Sequence, residues 1–323
     1  MPPILENMNL QTVKVLERDL TEWGAVAVGM ERERVRELLP SKRADRLYAW
    51  LRQHGTANPV RWWGRKAVET VPERKVGTRT HLVIPDCHAA PGQDLRRFTW
   101  LGRMIARLQP STVVSLGDWY SLDSLCMHRT LAERSEDRTV EEIKAGELAL
   151  AALETELAGK WDGEKHLIIG NHDDRLRRLT DDAPWLEGLF NVGAAHAARG
   201  WEVHPFLHPF RLDGVLYQHY LSSKGSSRAI GGKFHALRLL ERMKFRESVV
   251  VGHSHQLKHW TEAHGDRRVH AVVAGCYLEH IEDYAGEDNH EWWRGVVVLR
   301  NVRDGDFDLE TWSLDRIREE FGG

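Results

Sequence analysis

Two hydrophobic rhythms divide the chain. Up to residue 79, apolar positions recur at helical spacing in short stretches: "LQTVKVLERDLTEW", "ERERVRELL" and "SKRADRLYAWLRQHG". Ser41 is placed to cap the last of these and Gly55 to stop it. "ETVPERKVGTRT" then breaks the pattern with Pro72 and Gly77 and reads as a linker. From residue 80, short apolar runs alternate with longer amphipathic ones, as expected of strands buried between helices. "TLAERSEDRTVEEIKAGELALAALETELAGKW" and "GGKFHALRLLERMKF" predict helices, while "RGVVVLRNV" and "FDLETWSL" predict closing strands. The pattern thus predicts a helical extension over residues 1–79 and an α/β domain over 80–323.

Composition narrows the class. The 323 residues are 41% hydrophobic and 29% charged, enough apolar matter for a proper core. Net charge is -3, so no overall basicity points to nucleic acid or an anionic membrane. Charge is nonetheless uneven: residues 1–79 carry 15 basic against 10 acidic side chains, and the remainder is acidic by 8. No apolar run approaches the ~20 residues of a membrane span. The opening "MPPILENMNLQ" lacks the basic start and apolar core of a signal peptide. Cys87, Cys126 and Cys276 are too few and scattered for a disulfide framework. Together these features predict a cytoplasmic protein with no membrane partner.

Five of the apolar runs end in side chains that suit a metal ion. "HLVIPDCH" delivers Asp86 and His88, and "TVVSLGD" delivers Asp118. "HLIIGNHD" delivers Asn171, His172 and Asp173; "GVLYQH" delivers His219; "SVVVGHSH" delivers His253 and His255. In open α/β sheets, sites gather beyond the carboxyl ends of strands, so these residues are expected to converge. The i, i+2 spacing of Asp86/His88 and His253/His255 puts each pair on one side of an extended segment. Gly117, Gly170 and Gly252 permit close backbone approach to a ligand. Imidazoles mixed with carboxylates suit manganese, iron, zinc or nickel better than magnesium alone. Cys87 lies between two ligands and is expected to pack on the opposite side.

The ordered set D-x-H, G-D, G-N-H-D, a strand-borne His and G-H-x-H resembles the signature of the calcineurin-like metallophosphoesterases, over roughly residues 80–300. The resemblance implies an α/β fold of two mixed β-sheets packed as a sandwich flanked by helices, with two divalent metal ions at the strand ends. It implies that one ion takes Asp86, His88 and His255, the other Asn171, His219 and His253, and that Asp118 bridges them. Hydrolysis of a phosphoester by a metal-activated hydroxide would follow. His172 would be the general acid or an electrostatic stabiliser. Asp173 would accept its other ring N–H and raise its pKa. Asp174 is expected to be an exposed neighbour.

Subfamily features mostly exclude. Protein phosphatases of this family show GDxxDRG and GNHE, where this chain has "GDWYSLD" and "GNHDD". Double-strand-break repair nucleases place a histidine shortly after G-D, where Trp119, Tyr120 and Ser121 stand. The expectation is a phosphodiesterase acting on nucleotides or nucleic acid. Its alternatives are a phosphatase for small phosphomonoesters and a non-catalytic scaffold of the same fold. "SSKGSSRAIGGK" offers Lys224 and Arg228 to the substrate, and "HIEDYAGEDNHEWWRG" offers a cleft wall. Residues 1–79 read as a helix-turn-helix-like module touching phosphates or as helices packed elsewhere.

Overall fold

The apolar run Arg79–Ile84 forms strand β1, buried from His81 onward. The computed structural model to which it belongs describes residues 79–126, 136–186, 192–280 and 290–323. The predicted N-terminal extension before Arg79, and most of the Trp- and His-rich stretch near residue 285, lie outside the described residues. After β1 come α1 (Arg96–Leu108), β2 (Thr112–Ser115), α2 (Glu136–Leu157), β3 (Glu164–Ile168), α3 (Asp174–Asp182), α4 (Val192–Ala197) and β4 (Glu202–His204). There follow β5 (Phe210–Leu212), β6 (Val215–Tyr217), α5 (His235–Arg242), β7 (Ser248–Val251), β8 (Leu257–His264) and β9 (Arg267–Ala274). β10 (Gly295–Arg303), β11 (Asp306–Ser313) and α6 (Leu314–Phe321) close the chain.

The fold is α/β with two mixed sheets. The first has the order β11-β10-β1-β2-β3-β4, with β1 to β4 parallel and β10 and β11 antiparallel. The second has the order β5-β6-β7-β9-β8, parallel in its middle and antiparallel at both edges. Strand alternation divides the apolar residues between faces. Leu82, Val113 and Leu167 join Phe98, Leu101 and Ile105 of α1, Leu150 and Leu153 of α2 and Ile317 of α6 in one core. Val83, Val114 and Ile168 face the other way and share a core with Val215, Tyr217, Val250 and Val272 of the second sheet. Val249, Val251 and Val273 pack with Leu239 and Leu240 of α5. Each such side chain contributes roughly 1.5–3 kcal/mol when fully buried. The layering is compatible with a sandwich of two sheets between helices.

The five ligand-bearing runs are strands β1, β2, β3, β6 and β7, and the two predicted closing strands are β10 and β11. The two predicted helices contain α2 and α5. α6 was not anticipated from the sequence. It begins at Ser313, whose Oγ accepts the Arg316 N–H at 3.3 Å as an N-cap. No described helix is long and apolar enough to cross a membrane.

Candidate metal centre

The loops after β1 and β2 are laced together before any side chain enters. The Cys87 and His88 N–H groups both donate to the Asp118 carbonyl, at 3.0 and 2.8 Å, and Ala89 N–H donates to Trp119 O at 2.9 Å. His88, Asp118, His253 and His255 all have positive φ, between 44° and 69°. The i, i+2 expectation of extended backbone therefore needs correction at these positions. Their side chains converge through left-handed turns, a conformation that costs a non-glycine residue roughly 1–2 kcal/mol. Gly117 has φ +97, and a Cβ there would lie 2.4 Å from the Gly170 nitrogen.

Two groups of donor atoms result, each with its atoms within 4.8 Å of one another: Asp86, His88 and His255; and Asp118, His219 and His253. His88 Nε2 lies 3.3 Å from His255 Nε2, and His255 Nε2 lies 3.5 Å from Asp86 Oδ1. In the other group, His219 Nε2 is 3.2 Å from Asp118 Oδ2 and 2.8 Å from Asn171 Oδ1. Asp118 Oδ2 also lies 3.8 Å from His88 Nε2, so this carboxylate stands between the groups. A third group of the same kind, His88, Asp118 and His172, sets His172 beside both.

The surroundings aim these atoms. His219 Nδ1–H donates to Leu116 O at 2.8 Å, which turns Nε2 toward the oxygens. Asp86 accepts the His253 backbone N–H at 2.9 and 3.0 Å on its two oxygens. Gly252 leaves room for this: a Cβ there would come 2.2 Å from Asp86 Oδ2. Gly170 does the same for Asp118, whose Oδ1 would lie 2.1 Å from an added Cβ. Burial opposes a charge on Asp118, yet His219, His172 and His88 hold it well below the ordinary carboxylate range. Burial likewise opposes a proton on His219, but Asp118 lifts it to about 9. Burial keeps His88 well below its ordinary value and lowers His253 to about 4. The donor set fits divalent cations: imidazoles and carboxylates meet in a buried volume. A cation would displace the proton shared by His219 and the acidic oxygens.

His172 does not pair with Asp173, contrary to the sequence expectation. Its ring Nδ1–H donates to Ser121 O at 2.6 Å, and Nε2 accepts from Arg175 Nη2 at 3.1 Å. Asp173 turns away and accepts the Gly170 and Tyr120 N–H groups at 2.9 and 3.2 Å, tying two loops together. Burial, with Asp118 adding its negative charge, pushes Asp173 up to about 7. His172 moves down rather than up, because burial outweighs the Asp118 charge and Arg175 acts in the same sense as burial. Asp174 is not exposed either; it is buried, accepts from Arg177 and is ion-paired with Arg178 at the start of α3.

Cys87 is fully buried, and its thiol donates to Pro85 O at 3.4 Å, as packing would have it. Lys224 and Arg228 lie exposed on a turn closed by the Ser222–Ala229 bridge and are not among the groups converging on Asp118. Arg175 and Tyr220 at the centre were missed, whereas Trp292 belongs to the stretch expected to form a cleft wall. Arg175 follows His172 by three positions, a helical spacing that puts it on the same face and was open to detection. Tyr220 and Trp292 stand against His253 and His255, with ring centroids 4.7 and 4.3 Å away. In comparisons with known proteins, no family model matches the chain and a search of curated proteins returns no match.

Proposed function

We propose that the chain hydrolyses phosphoesters at a two-metal centre within a metallophosphoesterase-like sandwich, acting on a phosphodiester of a nucleotide or nucleic acid. The observation that carries this reading is the meeting of two donor groups at Asp118, with His172 alongside. Asp86, His88 and His255 would hold one ion, Asn171, His219 and His253 the other, and Asp118 both. Bound there, divalent ions (manganese first, with iron, zinc, nickel and magnesium as substitutes) supply Lewis acidity toward phosphoryl oxygens and lower the pKa of water.

The chain's own groups do the rest. His172 Nε2 is held by Arg175, whose Nη1 also donates to Ser121 O, Leu122 O and Asp123 Oδ1 at 3.0–3.1 Å. A phosphate oxygen arriving at Nη2 would draw the guanidinium off the ring. Its negative charge would also raise the proton affinity of His172, giving an acid for the leaving oxygen. Tyr220 and Trp292 offer flat apolar walls on which a base can stack, which supports a nucleotide-type substrate. The described cysteines are all unpaired, in accord with a reducing, cytoplasmic setting.

The test is a screen of metal-loaded full-length protein against bis-p-nitrophenyl phosphate, p-nitrophenyl phosphate, cyclic nucleotides and single-stranded DNA. Diesters should turn over fastest. Hydrolysis of none of them with manganese added would sink the reading.

A further inference from the structure

Strand β4 is the edge of the first sheet, and it carries a second cluster that shares no residue with the metal centre. In the parallel register His166 of β3 lies opposite Glu202, and His204, two residues on, faces the same side. His166 Nδ1 is 3.2 Å from His204 Nε2 and 3.4 Å from Glu202 Oε2, and His204 Nε2 is 4.0 Å from Glu202 Oε1. Zinc bonds of 2.0–2.1 Å at tetrahedral angles place neighbouring donors roughly 3.3–3.4 Å apart. Two of the three separations already match. The third involves a Glu202 side chain that is 66% exposed and free to rotate inward. A hydrogen bond between the two rings would explain the first distance alone. It would not explain a carboxylate brought near both ring nitrogens.

We propose that His166, His204 and Glu202 bind a divalent ion of the zinc class, with solvent completing its coordination on the Glu202 side. Burial lowers the proton affinity of both rings, with Glu202 acting against it. Phe210 of the second sheet covers the cluster, stacked on His204 at 3.9 Å and tilted over His166 at 4.6 Å. It excludes water from one side and strengthens the ligand bonds. The ion pins the three-residue edge strand to β3. Its effect reaches the metal centre through backbone, since the His204 carbonyl accepts the Ile169 N–H at 2.9 Å, just before Gly170.

The experiment is equilibrium dialysis of the full-length protein against micromolar zinc, followed by elemental analysis. Wild type, Glu202→Gln, His204→Gln and Asp118→Asn are compared. The Glu202 and His204 variants should each bind one ion per chain fewer than wild type. Adding Glu202→Gln to Asp118→Asn should remove one more. Equal zinc content in wild type and Glu202→Gln overturns the proposal. If His204→Gln fails to fold, Glu202→Gln decides alone, because its exposed carboxylate carries no packing. Hydrolysis is not the readout, so failure of the phosphoesterase reading leaves this result standing.

Discussion

The two sheets bring different chemistry to the same place. The first supplies both carboxylates, Asp86 and Asp118, the Asn171 amide, and His88 and His172; the second supplies only imidazoles, His219, His253 and His255. Two of the donor groups draw on both sheets: Asp86 and His88 need His255, and Asp118 needs His219 and His253, whereas the group of His88, Asp118 and His172 comes from the first sheet alone. The second sheet also steadies the acids of the first, through the His253 N–H on Asp86 and the space left by Gly252. A cation site built from both sheets would form only once they pack together, so metal binding would report on the packing of Val83 and Val114 with Val250 and Val272.

The comparison breaks most completely at the carboxylate both groups need. Asp118→Asn should weaken both ions beyond the 10–100-fold typical of supporting residues and bring hydrolysis to background. Elemental analysis and a diester assay would check it, and full occupancy of either ion would remove Asp118 from its shared position. His172→Ala comes next. Metal content should stay near wild type while turnover falls roughly 10²–10⁴, less for a nitrophenolate leaving group. Metals lost with His172 would make it a ligand.

A smaller effect tests the cross-sheet support. Gly252→Ala should displace Asp86 and weaken the ion beside it by about 10–100-fold, with a smaller effect on the group around His219, because His253 adjoins the change. Titration with a metal probe should then show one strongly and one weakly affected site. The smallest expected effect lies away from the centre. His81 of β1 is hydrogen-bonded to the Tyr217 hydroxyl of β6 at 2.6 Å and to Asp213 at 2.9 Å, and burial lowers it from 6.5 to about 4. A histidine depressed on folding stabilises fully above pH 6.5 and loses that contribution as pH falls toward 4, on the order of 3 kcal/mol. Melting temperature should drop across that window. His81→Gln should flatten part of the drop, because His235 and His259 are lowered into the same range.

What was legible in the sequence follows from what is local. Each of these strands shows as an apolar run followed by polar groups, with a glycine or proline between them after β1, β2, β3 and β7, so all five including β6 could be read directly. The direction of a side chain could not. Asp173 adjoins His172 in sequence, but the turn sends its carboxylate to Gly170 N–H, while the ring is held by Ser121, 51 residues away. The left-handed backbone at His88 and His255 is only faintly marked in residue type: histidine is enriched there among non-glycine residues, yet few histidines adopt it. The cluster on β4 needs the register between His166 and Glu202, and no local pattern encodes that pairing.

Those left-handed histidines also bear on how such a protein could age. At His88, His253 and His255 a glycine would relieve roughly 1–2 kcal/mol of backbone strain each. It would give back only about 0.4–1 kcal/mol in unfolded-chain freedom. Packing weighs against that exchange: His88 and His255 are buried and His253 lies against Tyr220, so glycines there would leave a cavity costing roughly 2–5 kcal/mol. The triple glycine variant should melt below the metal-free parent while binding nothing at the centre. An inert descendant of this chain would be recognisable by apolar side chains of similar volume where its ligands had been.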